Sequence, residues 1–232
     1  MFGWQLKHGI ETIGMSSGLV AYYAFESLLV DSTGRGNTLT NSGASQGTGK
    51  VGNGANFSGF DQSLSAASNA DTSPPGSFTL ACWIKPTANC SGAIIDKEAD
   101  AVGDGEGYAL TFSTFSPSLF RVSLAVQPAL NLDTGFVSTG TLSVNAWHFI
   151  VASWDNSTKT LRIIADNGAP ATQTDNASGY TPSSIPLVLG TTGLDIGVGP
   201  FDSDEICLWN RALSAAEAGA LYNGGNGTTW PL

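Results

Sequence analysis

Charge of either sign is scarce in this chain, and positive charge is scarcest. Charged residues make up 12%, with 9 Lys and Arg against 19 Asp and Glu, a formal net charge of −10. A surface of that sign repels phosphate, and the few basic residues do not cluster, so nucleic acid is not an expected partner. Histidine occurs twice, at His8 and His148, which leaves little material for a His-based triad or metal centre. The three cysteines, Cys82, Cys90 and Cys207, are an odd number and no disulfide framework. Cys82 and Cys207 fall in strand-like segments, where a buried thiol behaves as a small hydrophobe, with a Cys82–Cys90 bridge as the alternative. No run approaches the roughly 18 apolar residues of a membrane span. Lys7, His8 and Glu11 interrupt the first fifteen residues, so no signal peptide is expected there. A chain that works outside cells would then leave by assembly in a host followed by lysis, a route compatible with free thiols.

What the chain has is 41% hydrophobic residues and 29 glycines, almost without helix-forming stretches. That is enough apolar material for a core, cut into short pieces by turns. Strands are predicted at 19–25, 52–57, 62–66, 78–85, 93–96, 108–112, 120–126, 147–154, 160–164, 185–189 and 201–210. The pair 147–154 and 160–164 reads as a hairpin around the turn 155–158. Pro86 ends the clearest interior strand. Strands repeated about every 8–12 residues point to one all-β domain, a two-sheet antiparallel sandwich, with no internal repeat.

In the closing strand, Phe201, Ser203, Glu205, Cys207 and Trp209 alternate with Asp202, Asp204, Ile206, Leu208 and Asn210, so the two sets are expected on opposite faces. Ser214, three residues before Glu217, then opens a short helix with a capping box, and Gly224 and Gly225 end it. Before the domain, Phe2, Trp4 and Leu6 alternate and Ile10 and Ile13 follow. This arm, residues 1–16, either packs on its own domain, residues 17–232, or docks into a neighbouring protein.

Five motifs in order carry a resemblance. They are GLVAYYAF at 18–25, DSTGRGN at 31–37, FTLACWIKP at 78–86, WHFIVASW at 147–154 and DEICLWNRALSAAE at 204–217. Together they resemble the laminin-G-like, concanavalin A-like lectin-glucanase jelly-roll modules over about residues 17–226. The resemblance implies a concanavalin A-like jelly roll with one short C-terminal helix. Its function is left open, because such modules bind sugars, bind proteins or hold assemblies together.

The densest acidic group is the loop 96–106, with Asp96, Glu98, Asp100, Asp104 and Glu106. Hard carboxylate oxygens on a Gly-rich loop suit calcium, although the spacing is not that of an EF-hand. In the related pentraxins the equivalent loop supplies calcium ligands, completed by an acidic run after an L-x-L-G strand. Here Leu187–Gly190 is followed by Thr191, Thr192 and Gly193, so only Asp195 remains from that second half. The expected metal set is therefore Asp96, Asp100, Asp104 and Glu106, against a merely solvated loop. Tyr108 and Phe115, near the loop, are the candidate ligand contacts. Trp83, Trp147, Trp154 and Trp209 sit in strands and read as core, while Trp4 and Trp230 read as anchors. Asp31 is expected to bind its own turn, Glu205 to pair with Arg211 or a loop, and His148 to be a packed residue. The stretch Asp202–Glu205 does not give the E-x-D-x-x-E spacing of laminarinase-type glycosidases.

Three readings follow. The first is a non-enzymatic recognition or structural module of a virion surface, a phage fibre or capsid decoration. It would touch other virion or surface proteins through the arm and bind surface glycans. The second is a stand-alone, calcium-assisted, extracellular carbohydrate-binding lectin. The third is a glycosidase or lyase.

Overall fold

The computed structural model describes residues 14–59, 61–87, 90–98, 106–128, 135–174, 179–190 and 200–232. Within them the chain forms β1 (Leu19–Tyr23), β2 (Thr40–Ser42), β3 (Ser45–Thr48), β4 (Asn53–Phe57), β5 (Ser63–Ala66) and β6 (Phe78–Pro86). Next come β7 (Gly92–Asp96), β8 (Gly107–Ser116), β9 (Leu119–Gln127), β10 (Gly135–Ser138) and β11 (Leu142–Ser143). Then follow β12 (His148–Asp155), β13 (Thr160–Ala165), β14 (Ala171–Thr174), β15 (Leu187–Gly190), β16 (Phe201–Trp209) and α1 (Ala215–Tyr222).

The strands form two antiparallel sheets. One runs β14-β13-β12-β6-β16-β4-β3, with β1 also on β16; we call it the helix-side sheet. The other, the far sheet, runs β10-β9-β8-β7-β15-β5-β2, with β11 also on β9. The expected jelly-roll sandwich is therefore the fold observed. Between the sheets lies the main core, built from residues such as Phe78, Leu80, Leu110, Val122, Leu124, Trp154 and Leu189. A second apolar layer lies on the outer side of the helix-side sheet. There Tyr22, Trp83, Phe149, Val151, Ile164 and Trp209 meet Leu213, Ala218 and Leu221 of the helical segment.

Helix α1 starts as its sequence predicts. Ser214 accepts from the Glu217 backbone at 3.2 Å, and the Glu217 carboxylate accepts from Ser214 N at 2.7 Å. Its end falls at Asn223, which takes the left-handed conformation (φ 49°) ahead of Gly224 and Gly225. Residues 14–17 pack on their own domain. Met15 is buried, its carbonyl accepts from Trp209 Nε1 at 2.6 Å, and Ser17 O accepts from Arg211 Nε at 2.7 Å. Residues 1–13 of the expected arm lie outside the described residues.

The closing strand departs from strict alternation. Its register with β6 runs from Phe201↔Pro86 to Asp204↔Trp83 and resumes at Cys207↔Ala81, so three steps on β16 match two on β6. The extra residue is Glu205, at φ 51°. Phe201 and Trp209, expected on one face, consequently lie on opposite faces, Phe201 in the main core and Trp209 in the second layer. Cys82 and Cys207 fall on opposite faces of the same sheet, and no disulfide joins the cysteines.

Candidate functional site

The bulge gathers the carboxylates that a glycosidase reading would use, and buries them. Asp204 is fully buried, and Glu205 is 4% exposed. Asp204 Oδ2 accepts from Val51 N at 2.9 Å and Oδ1 from Glu205 N at 2.8 Å, so this side chain holds the turn between β3 and β4. Glu205 accepts from the Tyr22 hydroxyl rather than pairing with Arg211, whose guanidinium goes to Glu217 at 2.6 Å. The bulge turns Glu205 toward β1 and away from the Arg211 loop. Burial raises Asp204 to about 7 and Glu205 to about 8. A cavity of about 10 Å³ beside Glu205, under Thr228 and Leu232, has room for about one water. Asp202 binds Asn56 Nδ2 at 2.7 Å and lies 3.6 Å from Lys85. Asp204 and Glu205 are therefore buried away from any substrate, which is not the open carboxylate pair that glycoside hydrolysis needs.

His148 is packed, as expected, but it has partners that the sequence reading missed. Its Nδ1 lies 2.6 Å from Asp166 Oδ2, and its Nε2 lies 2.9 Å from Ser143 O and 3.4 Å from Ser143 Oγ. The resemblance to a Ser-His-Asp triad stops at composition. A carbonyl only accepts, so Nε2 donates to Ser143 O and is not a base for the Ser143 hydroxyl. With Nδ1 facing Asp166 as well, both ring nitrogens have acceptors, an arrangement that favours the charged ring. Burial opposes that charge, but the Asp166 hydrogen bond and carboxylate outweigh it and raise the His148 pKa above its ordinary 6.5. Asp166 also accepts from Phe149 N at 2.9 Å, from a left-handed position (φ 50°) after β13. The turn-forming sequence Asp166-Asn167-Gly168 was the available signal for this clamp.

The acidic loop is described only at its ends. Asp100 and Asp104 lie outside the described residues. Asp96 ends β7, its Oδ1 accepting from Glu98 N at 2.8 Å, and Glu106 directly precedes β8. Among the described residues no three His, Cys, Asp or Glu side chains group to hold a metal. Lys97, inside this run, is buried, with its ammonium on Ser68 Oγ at 3.0 Å and on Ile185 O. Burial lowers its pKa to about 8.

Of the two expected ligand contacts, Tyr108 is fully buried and cannot meet a ligand at the surface. Its ring packs against Phe78, and its hydroxyl donates to Thr72 O at 2.8 Å. Phe115 is 58% exposed, with the Arg121 guanidinium 4.7 Å from the ring centroid. Phe115 joins the outer face of the far sheet. Residues opposite one another share a face. One row there reads Ser65, Val188, Asp96, Ala109, Ala125 and Phe136. The next reads Ala93, Thr111, Ser123 and Ser138, followed by Ser113 opposite Arg121. Phe136 is 64% exposed and, like Phe115, a large apolar side chain turned to solvent. The floor between them is small or hydroxylated, with Ser123 Oγ 2.7 Å from Ser138 Oγ. By register, the two rings stand about 17 Å apart along the strands and about 10 Å across them. Trp83, Trp154 and Trp209 are core as expected, while Trp230 is 38% exposed and packs on Tyr22 with ring centroids 5.5 Å apart.

The family model Laminin_G_3, described as the concanavalin A-like lectin/glucanases superfamily, matches residues 57–219. No curated protein matches the sequence. Among solved structures, the binding domain of Paraclostridial Mosquitocidal Protein 1 is similar with a TM-score of 0.73 at 14% identity, over 90% of this chain and 52% of that one. The botulinum neurotoxin serotype D ligand-binding domain, in complex with N-acetylneuraminic acid, gives 0.71 at 13% identity, over 92% and 52%. The chain spans about half the length of these structures, and at such identities the likeness is one of fold.

Proposed function

We propose that this chain, which belongs to the concanavalin A-like lectin/glucanases superfamily, is a non-enzymatic carbohydrate-binding module whose glycan lies across the outer face of the far sheet. The observation that carries the reading is the pair of exposed rings, Phe115 with Arg121 and Phe136, at either end of a floor of alanine, serine and threonine. An apolar ring offers its face to the C–H side of a sugar, and the hydroxyls and guanidinium between supply donors and acceptors. A small-residue floor lets a flat oligosaccharide approach the sheet. The binding domains with which the fold is shared, one of them carrying a sialic acid, support a recognition role. The burial of Asp204 and Glu205 supports the absence of hydrolysis.

The test is a glycan array followed by titration of wild type, Phe115→Ala and Phe136→Ala. Each truncation is expected to weaken binding about fivefold to tenfold, with the Tm unchanged. An empty array, or affinity indifferent to both rings, overturns the site. Reducing-sugar release from a polysaccharide overturns the non-enzymatic part.

Two further parts belong to the same proposal. Calcium binds through Asp96, Asp100, Asp104 and Glu106 and raises the Tm, and an identical Tm in calcium and in chelator removes that part. The setting is a virion surface, with extracellular display as the alternative, and immunogold labelling of particles decides between them.

A further inference from the structure

The outer face of the helix-side sheet changes character along its strands. On β12 the outward residues are Phe149, Val151, Ser153 and Asp155, and on β13 they are Ile164, Arg162 and Thr160. The apolar half lies under Leu213, Ala218 and Leu221. The helix begins only at Ala215, so the polar half is not roofed. It forms the floor of an open cleft of about 390 Å³, lined by Ser153, Asp155, Thr160, Arg162, Thr172 and Glu217 among others. That volume lies within the usual range for small-ligand sites.

The donors and acceptors in this cleft are only partly used. Arg162 donates from Nη2 to Leu213 O, and its other N–H groups make no further hydrogen bond among the described residues. Asp155 accepts from Ser157 N, Ser157 Oγ and Thr158 N on Oδ1, and the Thr158 side chain also lies beside it. Register pairs Ser153 with Arg162 and Asp155 with Thr160, making Arg162 and Asp155 diagonal neighbours on one face, about 7–8 Å apart. A donor fork and a carboxylate at that spacing match adjacent hydroxyls, one accepting and the next donating.

Charge narrows the ligand class. Glu217 is paired with Arg211, leaving Arg162 and Asp155 to offset one another. An anion would gain from Arg162 and lose to Asp155, and a cation the reverse. Among the described residues the lining holds no aromatic ring, so it offers no platform for stacking. We propose that this cleft is a second binding site, on the face opposite Phe115 and Phe136, and that it takes the vicinal hydroxyls of an uncharged sugar edge-on. The proposal extends the carbohydrate-binding reading but uses none of its residues.

The experiment is an NMR titration of the ¹⁵N-labelled full chain with glucose, galactose and mannose, and separately with N-acetylneuraminic acid. Four proteins are compared: wild type, Arg162→Gln, Thr172→Trp, which fills the cleft from the exposed edge strand β14, and the double variant Phe115→Ala/Phe136→Ala. At least one neutral sugar is expected to shift amides of Asp155, Arg162 and Ser214 in wild type and in the double variant. Arg162→Gln should weaken this about tenfold or more, and Thr172→Trp should abolish it with an unchanged Tm. Should Arg162→Gln fail to fold, Thr172→Trp decides alone. Shifts that persist in Thr172→Trp, or that only N-acetylneuraminic acid produces, or that no sugar produces, overturn the cleft. Shifts lost only in the double variant overturn it too, but leave the far-sheet site standing. Shifts confined to the cleft in wild type support it and count against that other site.

Discussion

The Tyr22 hydroxyl, on the first strand, donates to the carboxyl of Glu205 on the last, across 183 residues of chain. The carboxyl sits on a bulge, out of water, and burial raises it to about 8. A buried acid with a raised pKa keeps its proton in the folded state where the unfolded chain has lost it. The folded state therefore binds more protons between about pH 4.5 and pH 8, and stability falls as pH rises through that window. Asp204, raised to about 7, acts in the same direction.

The first prediction follows. Urea midpoints measured from about pH 5 to about pH 9 should decline, with Glu205 contributing on the order of 3 kcal/mol. Glu205→Gln removes the ionisation while keeping an acceptor for Tyr22. It should match wild type at the acid end and exceed it at the alkaline end. Parallel curves for the two proteins would sink the assignment.

The His148–Asp166 pair predicts a slope of the same sign, through a different group, once the pH passes the ordinary histidine value. A histidine with a raised folded pKa contributes stability that is complete below about pH 6.5 and is lost as pH rises through the folded value. Asp166→Asn should bring the His148 titration, followed by ring proton shifts, down toward the ordinary value. It should cost about 2 kcal/mol near neutral pH, for loss of a charge-assisted bond. A His148 titration unmoved by Asp166→Asn rules out the clamp.

Gly190, at φ 85°, closes β15. A Cβ there would lie 2.6 Å from Gln62 O and 2.8 Å from the Phe57 ring. Both the backbone angle and the contact oppose substitution, so Gly190→Ala should lower stability by about 2–4 kcal/mol. Gly34, at φ 73° with nothing near it, separates the two effects: its alanine variant should cost only about 1 kcal/mol. Equal costs at both positions would refute the steric part.

At the helix start, Ser214→Ala removes the acceptor for Glu217 N and should cost about 1 kcal/mol. The cost should grow if Arg211→Ala is added, because Arg211 and Ser214 both hold the Glu217 carboxylate. Thermal denaturation of the two single variants and the double variant measures the coupling.

The sequence announced the sandwich because its central strands are strongly patterned. Residues 78–86 and 147–154 alternate or run apolar, and the Ser214–Glu217 spacing marks the helix start. The edge strands carry no such pattern. Ser45–Thr48 and Ala171–Thr174 are polar and largely exposed, and their place is set by the neighbour each one pairs with. For the same reason Phe136, on the short edge strand β10, was not visible as a partner for Phe115. The far-sheet face is a property of register, made by residues far apart in sequence and opposite in space. The Glu205 bulge escaped for a different reason. One inserted residue leaves the alternation locally intact on both sides while exchanging the faces beyond it. Tyr108 misled because proximity to the acidic loop in sequence says nothing about which face of β8 it occupies.

The pairing of β1 with β16 also sets an order of events in time. Leu19–Tyr23 leaves the ribosome long before Phe201–Trp209, the strand it pairs with. At ordinary rates of synthesis, roughly 10–40 s separate the two. Through that interval Tyr22 and Tyr23, which end fully out of water, have no sheet to join. The nascent chain therefore carries an unshielded apolar segment until its C-terminal strand arrives. Closure of the sandwich is a late, non-local step, slow in the way that high contact order makes folding slow.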